Sequence, residues 1–78
     1  MNKNNQVNIE ISKNEAIVLF EFLERFNQIK NKKIFEDQAE QRVLWDLESI
    51  LENKLVELFN ENYKKIVYNA RQIVRDEK

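Results

Sequence analysis

The chain of 78 residues contains no glycine, proline, cysteine or histidine, and no threonine. Each absence removes a chemistry. Without Cys and His there is no zinc site of the Cys/His kind, no Cys–His or Ser–His–Asp nucleophile and no disulfide staple. Without Gly there is no glycine-rich loop to cradle a phosphate. Two serines remain: Ser12 reads as a helix cap, and Ser49 has no histidine to activate it. Glu48 and Glu52 stand one helical turn apart, a spacing that offers two oxygens to a divalent ion, but the chain has neither histidine nor a second carboxylate motif of the di-iron type. The expectation is a protein without catalytic residues, metal or cofactor. No apolar run reaches the roughly 20 residues of a membrane-spanning helix, and the polar start MNKNNQ does not read as a signal peptide. A cytoplasmic location with no membrane partner is the corresponding expectation.

What is present is a helix-forming alphabet, 42% hydrophobic and 35% charged. Thirteen basic and 14 acidic residues leave a net charge of −1, too small for a global field that gathers nucleic acid or anionic lipid. The charge is unevenly placed. Residues 1–35 carry six Lys/Arg against four Glu, residues 36–62 two basic against eight acidic, and residues 63–78 five against two. Acidic and basic elements are therefore expected to attract one another, within a chain or between chains.

Met1–Asn5 reads as a disordered polar tail ahead of a single helical domain over 6–78. In Val7-Asn8-Ile9-Glu10-Ile11 the apolar residues alternate, the signature of a half-buried strand. Ser12-Lys13-Asn14-Glu15 spells a capping box, with Ile11 placed to staple against Ala16. A first helix is predicted from about Lys13 to Gln28 or Lys30, with Ala16, Leu19, Phe20, Leu23 and Phe26 on one face. Val18, Phe22 and Ile29 widen that apolar arc to roughly 200°. So broad an arc fits a helix that is central, or shared with a second subunit. Ile34-Phe35 is expected to plug the core as the chain re-enters.

A second helix is predicted from near Glu36 or Asp37, with a stripe of Ala39, Val43, Leu44, Leu47, Ile50, Leu51 and Leu55. Trp45 falls off that stripe and would pair with Val56 in a second apolar patch if the helix persists. A third helix, capped by Asn60, carries Tyr63, Ile66, Val67, Ala70, Ile73 and Val74 at core-facing spacing. The fold class expected is mainly α, three helices with a short N-terminal β-strand paired across a dimer.

Three sets of residues are candidates for function. Val7, Ile9, Ile11, Phe22 and Trp45 are expected at a dimer interface. The strand has no strong partner in its own chain, and a lone strand leaves its backbone groups open unless a two-fold mate pairs with it. Glu40 projects among Ala39, Val43, Leu44 and Leu47, so it reads either as a first-turn residue bonded to free helix N–H groups or to an arginine such as Arg42, Arg25 or Arg71, or, with Arg42, as a polar site that supplies an acid or a specificity contact across an interface. Lys64, Tyr68, Arg71 and Arg75 form a basic line with one aromatic, the pattern of a nucleic-acid contact or of a solvated edge facing the acidic second helix.

The runs AEQRVLWDLESILE, EAIVLFEFLERFN and LVELFNENYKKIVYNAR, in the order that places AEQRVLWDLESILE in the middle, resemble a group of short bacterial hypothetical proteins over most of residues 11–75. The resemblance implies a stand-alone bacterial protein and carries over no site residues. A proline would be expected between Glu57 and Phe59 or near Asn62; this chain has Leu58 and Asn62 there, which leaves the end of the second helix open. The function expected is protein–protein interaction by a homodimer, with an unidentified protein as a further partner. The alternatives are a nucleic-acid-associated regulator using the basic line, nucleic acid being the less favoured partner, and an inhibitor, antitoxin or immunity-type protein acting through the acidic middle.

Overall fold

A computed structural model describes residues 5–30 and 32–77. It contains three α-helices, α1 (Lys13–Phe26), α2 (Gln38–Lys54) and α3 (Tyr63–Asp76), with a short 3-10 helix at Val56–Phe59 between the last two. Most of the expected tail, residues 1–4, lies outside the described residues. The expected strand at Val7–Ile11 is not formed: among the described residues there is no strand, and Val7 is 85% exposed. Ile34-Phe35 offers it no ladder. Ile34 is exposed, while Phe35 is half-buried with its ring edge-on to Phe26 at 6.1 Å.

The polar caps set the helix starts. Ser12 Oγ accepts the Glu15 N–H at 3.0 Å and Glu15 Oε1 accepts the Ser12 N–H at 2.9 Å, a complete capping box that satisfies donors the first turn leaves open. Asp37 Oδ1 accepts the Ala39 N–H at 2.7 Å and starts α2. The third start lies two residues later than expected. Asn60 spends its side chain upstream, Oδ1 accepting the Asn62 N–H at 2.7 Å, so that Asn62 becomes the residue before the helix, with no side-chain cap bond of its own.

The ends follow tertiary demands. α1 stops at Phe26 because Asn27 turns its amide to α2, where Nδ2 donates to the Leu44 carbonyl at 3.4 Å and to Glu48 Oε1 at 2.7 Å. α2 stops at Lys54 because Leu55 leaves the helix in an extended conformation, φ −103 and ψ 95, and drops into the core. Val56 thus belongs to the 3-10 turn, and the expected Trp45–Val56 patch is not built.

The core consists of Ala16, Ile17, Phe20 and Leu23 from α1, Leu51 and Leu55 from the end of α2, and Val67 and Ala70 from α3. Ile17, absent from the predicted face, is 1% exposed and among the most deeply buried side chains. α1 is the central helix: α2 and α3 each pack on it and hardly meet one another. This resolves the width of its apolar arc in favour of a central position, but only in part, because Phe22 is left 48% exposed. Val43 and Ile50 of the second stripe and Ile73 of the third are exposed as well, since α2 and α3 each have one neighbouring helix instead of two.

Polar bonds tie both flanks to α1. Tyr63 Oη donates to Glu21 Oε2 at 2.6 Å, and Arg71 Nη2 lies 3.9 Å from Glu21 Oε1. Lys13 Nζ reaches Glu57 Oε2 at 2.8 Å, fastening the 3-10 turn to the start of α1. The expected attraction between the acidic second helix and the basic third is not realised within the chain. Among the described residues no ion pair links α2 to α3, because the two helices are not neighbours.

Candidate functional site

Helical spacing puts Glu15, Val18, Leu19, Phe22 and Arg25 on the outer side of α1, within an arc of about 120° at 100° per residue. Ile17, Phe20 and Leu23, interleaved with them, turn inward. Leu19 stands where two open grooves meet. One, of about 590 Å³ between α1 and α2, is lined by Ile9, Ile11, Ala16, Leu47, Ile50 and Leu51 beside Leu19. The other, of about 360 Å³ between α1 and α3, is lined by Val18, Phe22, Arg25, Arg71 and Val74 beside Leu19 and Glu15. Together they form one apolar face that crosses α1 from α2 to α3.

Aromatic packing stiffens this face. The Phe22 and Phe26 rings stack at 5.5 Å, and the Arg25 guanidinium lies 5.8 Å from the Phe22 centroid, a cation–π contact. Arg25 is thereby held at the C-terminal end of the outer arc, while Glu15 occupies the N-terminal end through its bond to the Ser12 N–H.

The molecule presents much more surface than its mass requires. A compact monomer of 9.5 kDa exposes about 5,000 Å², whereas this chain exposes 7031 Å². The Cα radius of gyration is 14.4 Å, against about 11.5 Å for a compact chain of this length. Part of this excess comes from the extended segment ahead of α1, in which every described residue is exposed.

The candidate residues fall in different places. Ile9, Ile11 and Phe22 share the face around Leu19. Val7 lines neither groove, and Trp45 stands about 160° round α2 from Leu47. It borders a separate hollow of about 660 Å³ with Asn27, Ile29, Lys32, Phe35 and Gln41. Lys32 Nζ sits there 4.9 Å from the Phe26 centroid and 5.6 Å from that of Phe35.

Glu40 and Arg42 do not meet. Glu40 is exposed and its Oε1 accepts the Glu36 N–H at 2.9 Å, while Arg42 Nε lies 3.6 Å from Asp46 Oδ1. In the basic line, Arg71 faces Glu21 across the α1–α3 seam and Arg75 Nε lies 3.3 Å from Asp76 Oδ1, so both guanidinium groups already stand beside carboxylates. Lys64 and Tyr68 are exposed.

Three pKa shifts follow from these contacts. Burial, then the bond to Glu21, pushes the Tyr63 hydroxyl well above its ordinary value. Glu24 is raised, first by burial and then by Glu21, its neighbour on α1, and by Glu48 and Glu52 of α2. The bond from Lys13 holds Glu57 below the usual carboxylate value. Among the described residues no three His, Cys, Asp or Glu side chains converge in a way that would hold a metal ion, and no helix is long and apolar enough to cross a membrane.

Two structural groups escape sequence reasoning. Asn27 bonds to Leu44 and Glu48, 17 and 21 residues away, and Tyr63 bonds to Glu21 across 42 residues, so no local pattern marks them. Comparison of the chain with family models, curated proteins and solved structures gives no match.

Proposed function

We propose that this protein works through protein–protein contact and pairs with a second copy of itself by the apolar face centred on Leu19. The observation that supports this reading is the pair of apolar grooves that meet at Leu19, with Phe22 left 48% exposed beside them. No catalytic step belongs to the proposal.

Sedimentation velocity on the full chain at tens of micromolar tests it. A species of about 19 kDa, twice the 9.5 kDa of the chain, is the expected result. A single species at the chain mass across that range overturns the reading.

A further inference from the structure

We infer that α1 pairs with α1 of the second copy in antiparallel fashion, about a two-fold axis level with Phe20, and that Glu15 and Arg25 set this direction. The inference rests on the homodimer reading and adds its polarity and register.

The outer arc of α1 is self-complementary in one direction only. Its middle is apolar, with Val18, Leu19 and Phe22, and its ends carry opposite charges, Glu15 at the start and Arg25 ten residues on. Parallel pairing would set Glu15 against Glu15 and Arg25 against Arg25, two like-charge contacts beside an apolar seam. Antiparallel pairing about Phe20 brings Glu15 level with Arg25 of the partner subunit, and the two-fold repeats that pair at the other end. In the same register Val18 faces Phe22 of the partner subunit, so branched and aromatic side chains alternate across the seam.

Both charges are already positioned. The capping box orients Glu15 by one oxygen, Oε1, and the Phe22 ring carries the Arg25 guanidinium. Ordering them on association therefore costs little side-chain entropy.

This arrangement also accounts for the unpaired segment before α1. Residues 15 and 25 are about 15 Å apart along the helix axis at 1.5 Å per residue, so antiparallel pairing carries the two Val7–Ile11 segments to opposite ends of the dimer. They cannot form a ladder with each other there. Ile9 and Ile11 instead widen the apolar face next to α2.

Two measurements on the full chain test the inference. The first is a double-mutant cycle on the dissociation constant with Glu15→Gln, which keeps the capping-box geometry, and Arg25→Gln. Each single change removes both symmetric pairs and should weaken association by about three- to tenfold, and the double change should be no weaker than either single one. The second uses the absence of native cysteine. E15C and R25C chains treated with a short bismaleimide should cross-link when mixed and not when alone.

A dimer whose two changes have no effect or add independently, or one that cross-links through E15C alone, overturns the antiparallel register while leaving the homodimer standing. A monomer throughout overturns both.

Discussion

Ile17 and Val18 are neighbours in the chain and opposites in the structure, so truncating each to alanine tests the rotation of α1 on which everything else depends. Ile17 is 1% exposed and packed in the core, whereas Val18 is half-buried on the outer arc. Ile17→Ala removes three buried carbons. Transfer alone costs about 2.4 kcal/mol at 0.8 kcal/mol per group, and the cavity left behind brings the loss to about 3 kcal/mol, offset slightly by alanine's better helix propensity. Val18→Ala removes two half-covered methyl groups, a loss under about 1 kcal/mol that the same propensity gain nearly cancels.

A chain of 78 residues has roughly 4–12 kcal/mol of stability in total, so the first change consumes a large share and the second almost none. At 4–8 °C per kcal/mol for a domain of this size, Ile17→Ala should lower the Tm by about 12–24 °C and Val18→Ala by no more than about 4 °C. The assay is thermal unfolding followed by helix ellipticity at one fixed protein concentration, because association would otherwise shift both transitions. Two variants that melt within a few degrees of each other would refute the assigned rotation of α1. The outward placement of Val18, Leu19 and Phe22 would fall with it.

Two further perturbations probe the seams of α1. Tyr63→Phe deletes the donor to Glu21 and should cost about 1–2 kcal/mol by urea denaturation at neutral pH. The raised folded-state pKa of Tyr63 means that its stabilisation is intact below its ordinary value of 10.0 and is lost as pH rises above it, so native stability should decline on the alkaline side and this decline should be shallower in Tyr63→Phe. An identical alkaline limb in both proteins would remove Tyr63 as its cause. Asn27→Asp sets a carboxylate against Glu48 and the Leu44 carbonyl, where the amide donated; a loss of about 2–3 kcal/mol is expected at pH 7, and Asn27→Ala, which removes the donor without adding a charge, should lose less. An unchanged urea midpoint in both variants would show that Asn27 does not join the helices.

The features legible in the sequence are those whose chemistry is local. Ser12 with Glu15 and Asp37 ahead of Ala39 specify bonds that close within three residues, and both are formed. The break at Leu55 is illegible because neither Gly nor Pro marks it; only the burial of that side chain shows why α2 ends there. Asn60 misleads for a related reason: its Oδ1 takes the N–H two residues on, as Asp37 does at the start of α2, and only the backbone that follows decides between a turn and a helix. Ile17 lies off the predicted face because of a rotation. The face drawn through Ala16, Leu19, Phe20, Leu23 and Phe26 is turned about 50° from the arc that Ala16, Ile17, Phe20 and Leu23 bury, because the core lies between two flanking helices and apolar periodicity cannot tell where each docks.

The same rotation separates two roles that one broad apolar arc had merged. A central helix with neighbours on two sides needs apolar residues only where those neighbours lie, and Ile17, Phe20 and Leu23 meet that need. Phe22 stacks on Phe26 and Glu15 closes the capping box, yet about half of Phe22 remains in water, in line with Val18 and Leu19. Scattered exposed apolar residues are ordinary on any protein surface. A contiguous line of them, bounded by opposite charges and flanked by two apolar grooves, is the feature on which the proposed pairing with a second copy rests, and it stands or falls with the rotation of α1 that Ile17→Ala and Val18→Ala test.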